Sequence, residues 1–169
     1  MGKGCILRTK NAHERKLLHM KIAIACDPAG MPLKAPIEET LTELGIEYVD
    51  LGMHEGDCRD YPVFALRVAN KVVSKECDLG IVLCGTGVGI SIAANKVDGI
   101  RCCHCSDCYS AKMSRAHNDA NMLALGGRVI APELAKLIVE NFVKGEFEGG
   151  RHQTRIDMFK IIEQGGQLE

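Results

Sequence analysis

The sequence predicts an α/β protein in which a parallel sheet carries helices on both faces. Short, nearly continuous apolar runs alternate with amphipathic helical segments five times, starting at Met20. Apolar runs without polar alternation are typical of strands buried on both faces of a parallel sheet. Strands that alternate with helices in this way predict such a sheet. At 169 residues, the chain is long enough for one domain with a substantial core.

Each element follows from a local pattern. The strands are expected at the apolar runs 21–26, 46–51, 78–84, 100–103 and 122–125. The first helix is expected from the stripe of Leu33, Ile37, Leu41 and Leu44, with Gly45 as its stop signal. The other helices are expected at 61–74, 90–96, 107–117, from Pro132 through Phe142, and at 151–164. Ligands bind beyond the carboxyl ends of parallel strands, so the segments after these strands are the places to look for a site.

Composition and charge exclude several classes of protein. A net charge of −1 gives no field that attracts nucleic acid or a membrane surface, and no apolar run approaches a membrane span. We therefore expect that the protein binds neither nucleic acid nor a membrane. The nine cysteines are an odd number in a chain unlike a loop-rich disulfide scaffold, which indicates a reducing, cytoplasmic compartment. Residues 1–19 form a basic extension, interpreted as disordered or as an upstream start, with a lipid or organelle address as the alternative. Residues 20–169 are expected to form the single domain.

A glycine-rich loop follows the third predicted strand. Gly85, Gly87 and Gly89 allow backbone N–H groups to fold around an anion at the start of the next helix. The loop matches neither nucleotide-binding pattern, so the anion can instead be an oxyanion that forms during a reaction. Cys84 stands beside this loop at the head of a helix, a setting that favours the thiolate. The alternative is a buried cysteine at a strand end, next to a structural turn.

Cationic side chains appear later in the chain. His117 ends the polar helix, and Arg128 follows the fifth strand. Arg151 and Arg155 are one helical turn apart, so both can face one phosphate group. Taken singly, a histidine such as His117 is more often a structural residue than a catalyst, and two such arginines more often form a solvated basic face.

Four segments together resemble ribose-5-phosphate isomerase of type B. They are GIVLCGTGVGISIAANK at 80–96, YSAKMSRAHNDAN at 109–121, LGGRV at 125–129 and FEGGRHQTR at 147–155. The similarity runs from Met20 to about Gln164 without a large gap. Four motifs in the same order are specific for the superfamily, which also contains allose- and galactose-phosphate isomerases.

The resemblance implies a Rossmann-like three-layer α/β/α sandwich with a five-stranded parallel sheet. It also implies a homodimer or a dimer of dimers, with the active site between subunits and with no metal or other cofactor. The implied reaction is the aldose–ketose interconversion of ribose 5-phosphate and ribulose 5-phosphate through a cis-enediolate. Such a reaction needs a base, a stabilised oxyanion and an acid–base group at the ring oxygen.

The family's functional residues map onto this sequence one by one. Cys84 would move a proton between C1 and C2, while Thr86 and the amides of the loop (Gly85, Gly87 and Gly89 among them) would hold the enediolate oxygen. His117 would open the sugar ring. The substrate would be bound by Asp27 and Asn118 at its hydroxyls, by Tyr61 along the pocket wall, and by Arg128, Arg151 and Arg155 at its phosphate, at least partly from the partner subunit.

One position departs from the family pattern. Family members typically carry Asp-His-Ala-Gly after the first strand, where this chain has Asp27, Pro28, Ala29 and Gly30. The missing histidine contacts phosphate or sugar in relatives. The departure therefore bears on substrate size and affinity, and it keeps allose 6-phosphate and galactose 6-phosphate open as alternative substrates.

Two other classes of function compete with the isomerase. The dense run Cys102-Cys103-His104-Cys105-Ser106-Asp107-Cys108 suggests a metal or redox protein. However, structural zinc sites usually pair two separated knuckles, and strand alternation would turn Cys102 and Cys103 to opposite faces. A non-catalytic module that only binds an anion is the other alternative, and it predicts phosphate binding without turnover.

Overall fold

The fold is a five-stranded, fully parallel sheet with helices on both faces. The computed structural model describes residues 17, 19–54, 56–57 and 59–168. Its strands are β1 (Lys21–Cys26), β2 (Glu47–Asp50), β3 (Leu79–Cys84), β4 (Cys102–His104) and β5 (Met122–Gly126). The sheet order is β2-β1-β3-β5-β4, and every neighbouring pair is parallel. The predicted α/β/α architecture is confirmed.

Six helices follow the strands in the described part of the chain. They are α1 (Met31–Glu43), α2 (Tyr61–Val73), α3 (Val88–Ala94), α4 (Cys108–Asn118), α5 (Pro132–Val143) and α6 (Arg151–Glu163). Proline near the first turn of α1, α2 and α5 suits these helix starts, because that turn's N–H groups have no partner within the helix. None of the described helices is long and apolar enough to cross a membrane.

The core lies in two layers, one on each side of the sheet. In β1, Ile22 and Ile24 pack on the side of α1 and α5, whereas Ala23 and Ala25 pack on the side of α2 and α3. This alternation is what a strand gives when both of its faces are buried. Helix α6 is different, since only two of its residues are buried and it lies largely outside both layers.

Two element boundaries differ from the sequence prediction. The fourth strand is shifted from 100–103 to Cys102–His104, because the Arg101 amide donates to the side chain of Asn121 instead of a strand partner. Helix α3 covers Val88–Ala94 instead of 90–96. It ends where the side chain of Asn95 bonds to the backbone of β4. The Asn95 Oδ1 accepts from the Cys102 N–H and its Nδ2 donates to the Cys102 carbonyl, both at 2.8 Å.

The predicted N-terminal extension lies mostly outside the described residues. Of its last residues, Leu17 is buried in the core layer of α1 and α5, and its carbonyl accepts from the Met20 N–H at 3.1 Å. The packed domain therefore includes at least one residue before Met20.

Candidate active site

Cys84 ends β3 with its side chain turned into the following loop. The side chain is buried, and the Gly87 N–H donates to its Sγ at 3.1 Å. Gly87 has φ +80°, a left-handed conformation that glycine adopts without strain. That conformation turns the chain directly into α3. One N–H group of the predicted amide nest, that of Gly87, therefore points at the Cys84 sulfur.

The loop after β1 is wedged against the ends of β3 and β5. A Cβ atom on Gly30 would lie 2.6 Å from the backbone carbon of Leu83, and one on Gly127 would lie 2.4 Å from the carbonyl oxygen of Ala29. Only glycine allows backbones to approach this closely. These two glycines hold the three loops together at the carboxyl edge of the sheet.

Three of the predicted substrate-binding residues come to this edge. Asp27 donates its N–H to the Leu83 carbonyl at 3.0 Å and accepts from the Gly30 N–H at 2.9 Å. Tyr61 rests on the loop, since a Cβ on Gly89 would lie 2.9 Å from its ring. Arg128 donates its N–H to the carbonyl oxygen of Gly85 at 3.0 Å. We call Asp27, Tyr61, residues 84–89 and Arg128 the carboxyl-edge cluster.

The other predicted residues lie at the opposite edge. Helix α4 leaves the end of β4 and returns to the start of β5, so His117 and Asn118 come just before Met122. Met122 pairs with Gly80, and Gly126 pairs with Cys84, so at ~3.3 Å per residue these pairs are roughly 13 Å apart. Arg151 and Arg155 join this edge, because the Glu148 N–H donates to the Ala116 carbonyl at 3.0 Å just before α6 begins. We call His117, Asn118, Arg151 and Arg155 the amino-edge cluster.

His117 has two neighbours whose roles the sequence did not predict. Its ring stacks on that of His152, with ring centroids 4.3 Å apart and planes 6° from parallel. The Glu148 carboxylate lies 3.9 Å from Nε2 of His117 and 3.7 Å from Nε2 of His152. The spacing Glu148–His152 (i, i+4) was the available signal. The chain is not helical at Glu148, however, because α6 begins at Arg151 and both Gly149 and Gly150 have positive φ.

A profile of the ribose/galactose isomerase family matches residues 22–159. The chain belongs to this family. Ribose-5-phosphate isomerase B of Escherichia coli K12 is 51% identical over 144 residues, covering 85% of this chain and 97% of that protein.

Solved structures of ribose/galactose isomerases share the fold. Ribose-5-phosphate isomerase B of Clostridium thermocellum aligns with a TM-score of 0.84 and 53% identity, covering 86% of this chain and 99% of that chain. The enzyme of Mycoplasma genitalium, solved with bound ribulose-5-phosphate, aligns with a TM-score of 0.81 and 42% identity, covering 86% of this chain and 97% of that chain.

In this family member the cysteine run is divided between the two core layers. Cys102 packs in the layer of α2 and α3, whereas Cys103 packs against the other layer, as strand alternation predicted. Burial raises the pKa values of the Cys102 and Cys103 thiols, and it raises the pKa of Cys105 to about 12. Near neutral pH these raised pKa values correspond to neutral thiols, which pack as small apolar groups.

One group of side chains in the described part of the chain has metal-like spacing. Ligand-type atoms of His117, Glu148 and His152 all lie within 4.8 Å of one another. However, imidazole lone pairs lie in the ring plane, and two parallel stacked rings cannot direct them to one tetrahedral ion. The arrangement instead places the Glu148 carboxylate where it can attract a proton on Nε2 of either ring.

Proposed function

We propose that this chain interconverts ribose 5-phosphate and ribulose 5-phosphate through a cis-enediolate, with Cys84 as the base. The observation that carries the proposal is the position of Cys84 beside a loop whose Gly87 N–H points at its Sγ, in a member of the ribose/galactose isomerase family. The reaction removes a proton from the carbon next to the carbonyl and delivers one to the former carbonyl carbon, and negative charge gathers on oxygen during the transfer. A base beside preorganised amides meets both needs.

The remaining residues complete the proposed reaction. Thr86 and the amides of Gly85, Gly87 and Gly89 hold the enediolate oxygen. His117 opens the sugar ring, which is necessary because a cyclic sugar has no free carbonyl. Asp27, Tyr61 and Asn118 bind the sugar. Arg128, Arg151 and Arg155 bind the phosphate.

We propose further that the active site forms between two copies of the chain, in a homodimer or a dimer of dimers. The carboxyl-edge and amino-edge clusters lie at opposite ends of the sheet, too far apart within one chain to contact the same small sugar phosphate. A two-fold axis that joins the amino edge of one subunit to the carboxyl edge of its partner would make two complete sites. Exposed apolar residues on α6, including Phe159 and Ile162, support a covering partner.

Mixing two inactive variants tests this arrangement. Cys84→Ala and His117→Ala homodimers should each be inactive. After subunits are exchanged, a heterodimer should hold one doubly altered site and one intact site. At equal mixing, half of the dimers are heterodimers, so about a quarter of wild-type activity should return. No recovery, with heterodimers demonstrated by mass spectrometry, would place both residues in the same subunit's site.

Substrate preference is tested by direct comparison. We expect turnover of ribose 5-phosphate to exceed that of allose 6-phosphate and galactose 6-phosphate at equal concentrations. Preference for a six-carbon sugar would assign the alternative activity within the same superfamily. Phosphate binding with no turnover of any of the three would instead support the non-catalytic module. The proposed reaction belongs to the pentose phosphate pathway, in the cytoplasm, and uses no metal.

A further inference from the structure

His152 stands out among the histidines that the structure describes. It is the only one of them that is buried, with 5% of its surface exposed. Its ring covers one face of the His117 ring in a nearly parallel stack. Such a stack opposes rotation of the His117 ring about its Cβ–Cγ bond. The ring plane of His117 is therefore held by its neighbour.

The hydrogen-bond partners of His152 indicate where its proton sits. Nδ1 is buried and has no hydrogen-bond partner among the described residues, while Nε2 faces the Glu148 carboxylate at 3.7 Å. A neutral imidazole carries one proton, on one of these two nitrogens. A proton on Nε2 is attracted by the carboxylate, whereas a proton on Nδ1 would be a buried donor without a partner. We therefore infer the Nε2–H tautomer.

The charges around the pair favour a single added proton. The pKa of His152 lies below its usual range, because burial disfavours the cation and because His117 and then Arg151 repel it. Arg155 adds to this repulsion, and the Glu148 carboxylate opposes it. Two stacked imidazolium rings would also repel each other, so a positive charge on one ring disfavours a positive charge on the other.

We propose that His152 is a positioning residue for ring opening: stacked on His117 and held beside Glu148, it fixes the plane of the His117 ring. The inference rests on the proposed function, in which His117 moves a proton at the sugar's ring oxygen. A fixed ring plane aims Nε2 at that oxygen.

The first test needs no substrate, so it is independent of the proposed function. The titration midpoint of His152 is measured by NMR of ¹³C-labelled histidine in the intact protein. In His117→Asn, the midpoint should rise, because the neighbouring positive charge is gone. In Glu148→Gln it should fall, because the favourable carboxylate charge is gone. A His152 midpoint that moves in neither variant would overturn the inference.

The second test separates ring opening from proton transfer at carbon. Ribulose 5-phosphate cannot form a five-membered ring, because its O5 carries the phosphate. Deuterium uptake at its C1 from D₂O therefore reports enediolate formation without ring opening. His152→Ala should slow conversion of ribose 5-phosphate by about 10-fold or more and largely spare this exchange. His152→Phe, which restores a flat ring, should recover much of the loss.

The controls distinguish positioning from general damage. Gln153→Ala changes the exposed neighbour of His152 on the same helix, and it should leave both rates within about twofold of wild type. If His152→Ala lowers conversion and exchange by the same factor, the residue has only a structural role and the inference fails. If the wild-type protein shows neither conversion nor exchange, the proposed function fails instead, while the NMR result still stands.

Discussion

Replacing Cys84 with alanine tests the proposed base most directly. A positioned general base typically contributes about 10²- to 10⁴-fold to the rate, which is roughly 2.7–5.5 kcal/mol of barrier. We expect kcat for ribose 5-phosphate to fall by at least about 100-fold. Deuterium exchange into ribulose 5-phosphate should fall by the same factor, since the same base removes the proton from that substrate.

The fold should survive this change. Cys84 is 4% exposed, so alanine leaves a small cavity and removes the partner of the Gly87 N–H. Loss of one such hydrogen bond together with a small buried group costs about 1–2 kcal/mol, against a typical total of about 5–15 kcal/mol. For a domain of this size that corresponds to a decrease in Tm of roughly 2–8 °C. Circular dichroism with a thermal melt measures it.

Two further variants make the result interpretable. Cys84→Ser keeps an acceptor for the Gly87 N–H but supplies a much weaker base, so it should fold well and remain slow. Cys77→Ala removes a cysteine that is equally buried, at 2% exposed, just before β3 at the other edge of the sheet. It should lose similar stability and keep kcat within about twofold. Near-normal turnover in Cys84→Ala would refute the assignment of the base.

Three other changes probe the remaining roles. His117→Ala should slow conversion of ribose 5-phosphate strongly and largely spare deuterium exchange into ribulose 5-phosphate; equal losses would indicate a structural role. Arg151→Ala removes an exposed cation and should weaken binding by about 1.5–3 kcal/mol, or roughly 10- to 150-fold in KM, with inhibition by inorganic phosphate weakened in parallel. An unchanged KM would indicate that Arg151 belongs to a solvated basic face and does not bind the substrate. Pro28→His places an imidazole on the exposed turn beside Asp27 and should lower KM for ribose 5-phosphate by less than about 15-fold, without improving six-carbon substrates. Loss of ribose 5-phosphate activity would instead mean that the pocket is built around Pro28.

The sheet could be predicted because its signal is local. The central strands β1, β3 and β5 bury both faces, so they appear as apolar runs, and they lie where these runs predicted them, to within one residue. The fourth strand was the least accurate, because a side chain 20 residues away, Asn121, bonds the Arg101 amide. Contacts of this kind depend on tertiary structure and leave no periodic trace in the sequence.

The glycines of the carboxyl edge also show that contacts made in tertiary structure cannot be predicted from local sequence. Gly85, Gly87 and Gly89 were recognised because they cluster in one loop. Gly30 and Gly127 were not assigned a role, although each permits a backbone contact that a Cβ would block. Their function depends on which loops meet in space, and the order β1-β3-β5 at the centre of the sheet decides that.

The separation of the two clusters follows from helix geometry. Helix α4 has 11 residues, which at ~1.5 Å per residue is roughly 16 Å, about the length of β3 or β5. A helix of that length after β4 must return to the amino edge before β5 begins, so a histidine near its end cannot face Cys84 of the same chain. The stack of His117 on His152 also required the structure itself. It brings together residues 35 positions apart, from the end of one helix and the start of another. The rule that sites lie beyond the carboxyl ends of strands therefore accounts for half of the proposed site, and the other half is consistent with a second copy of the chain.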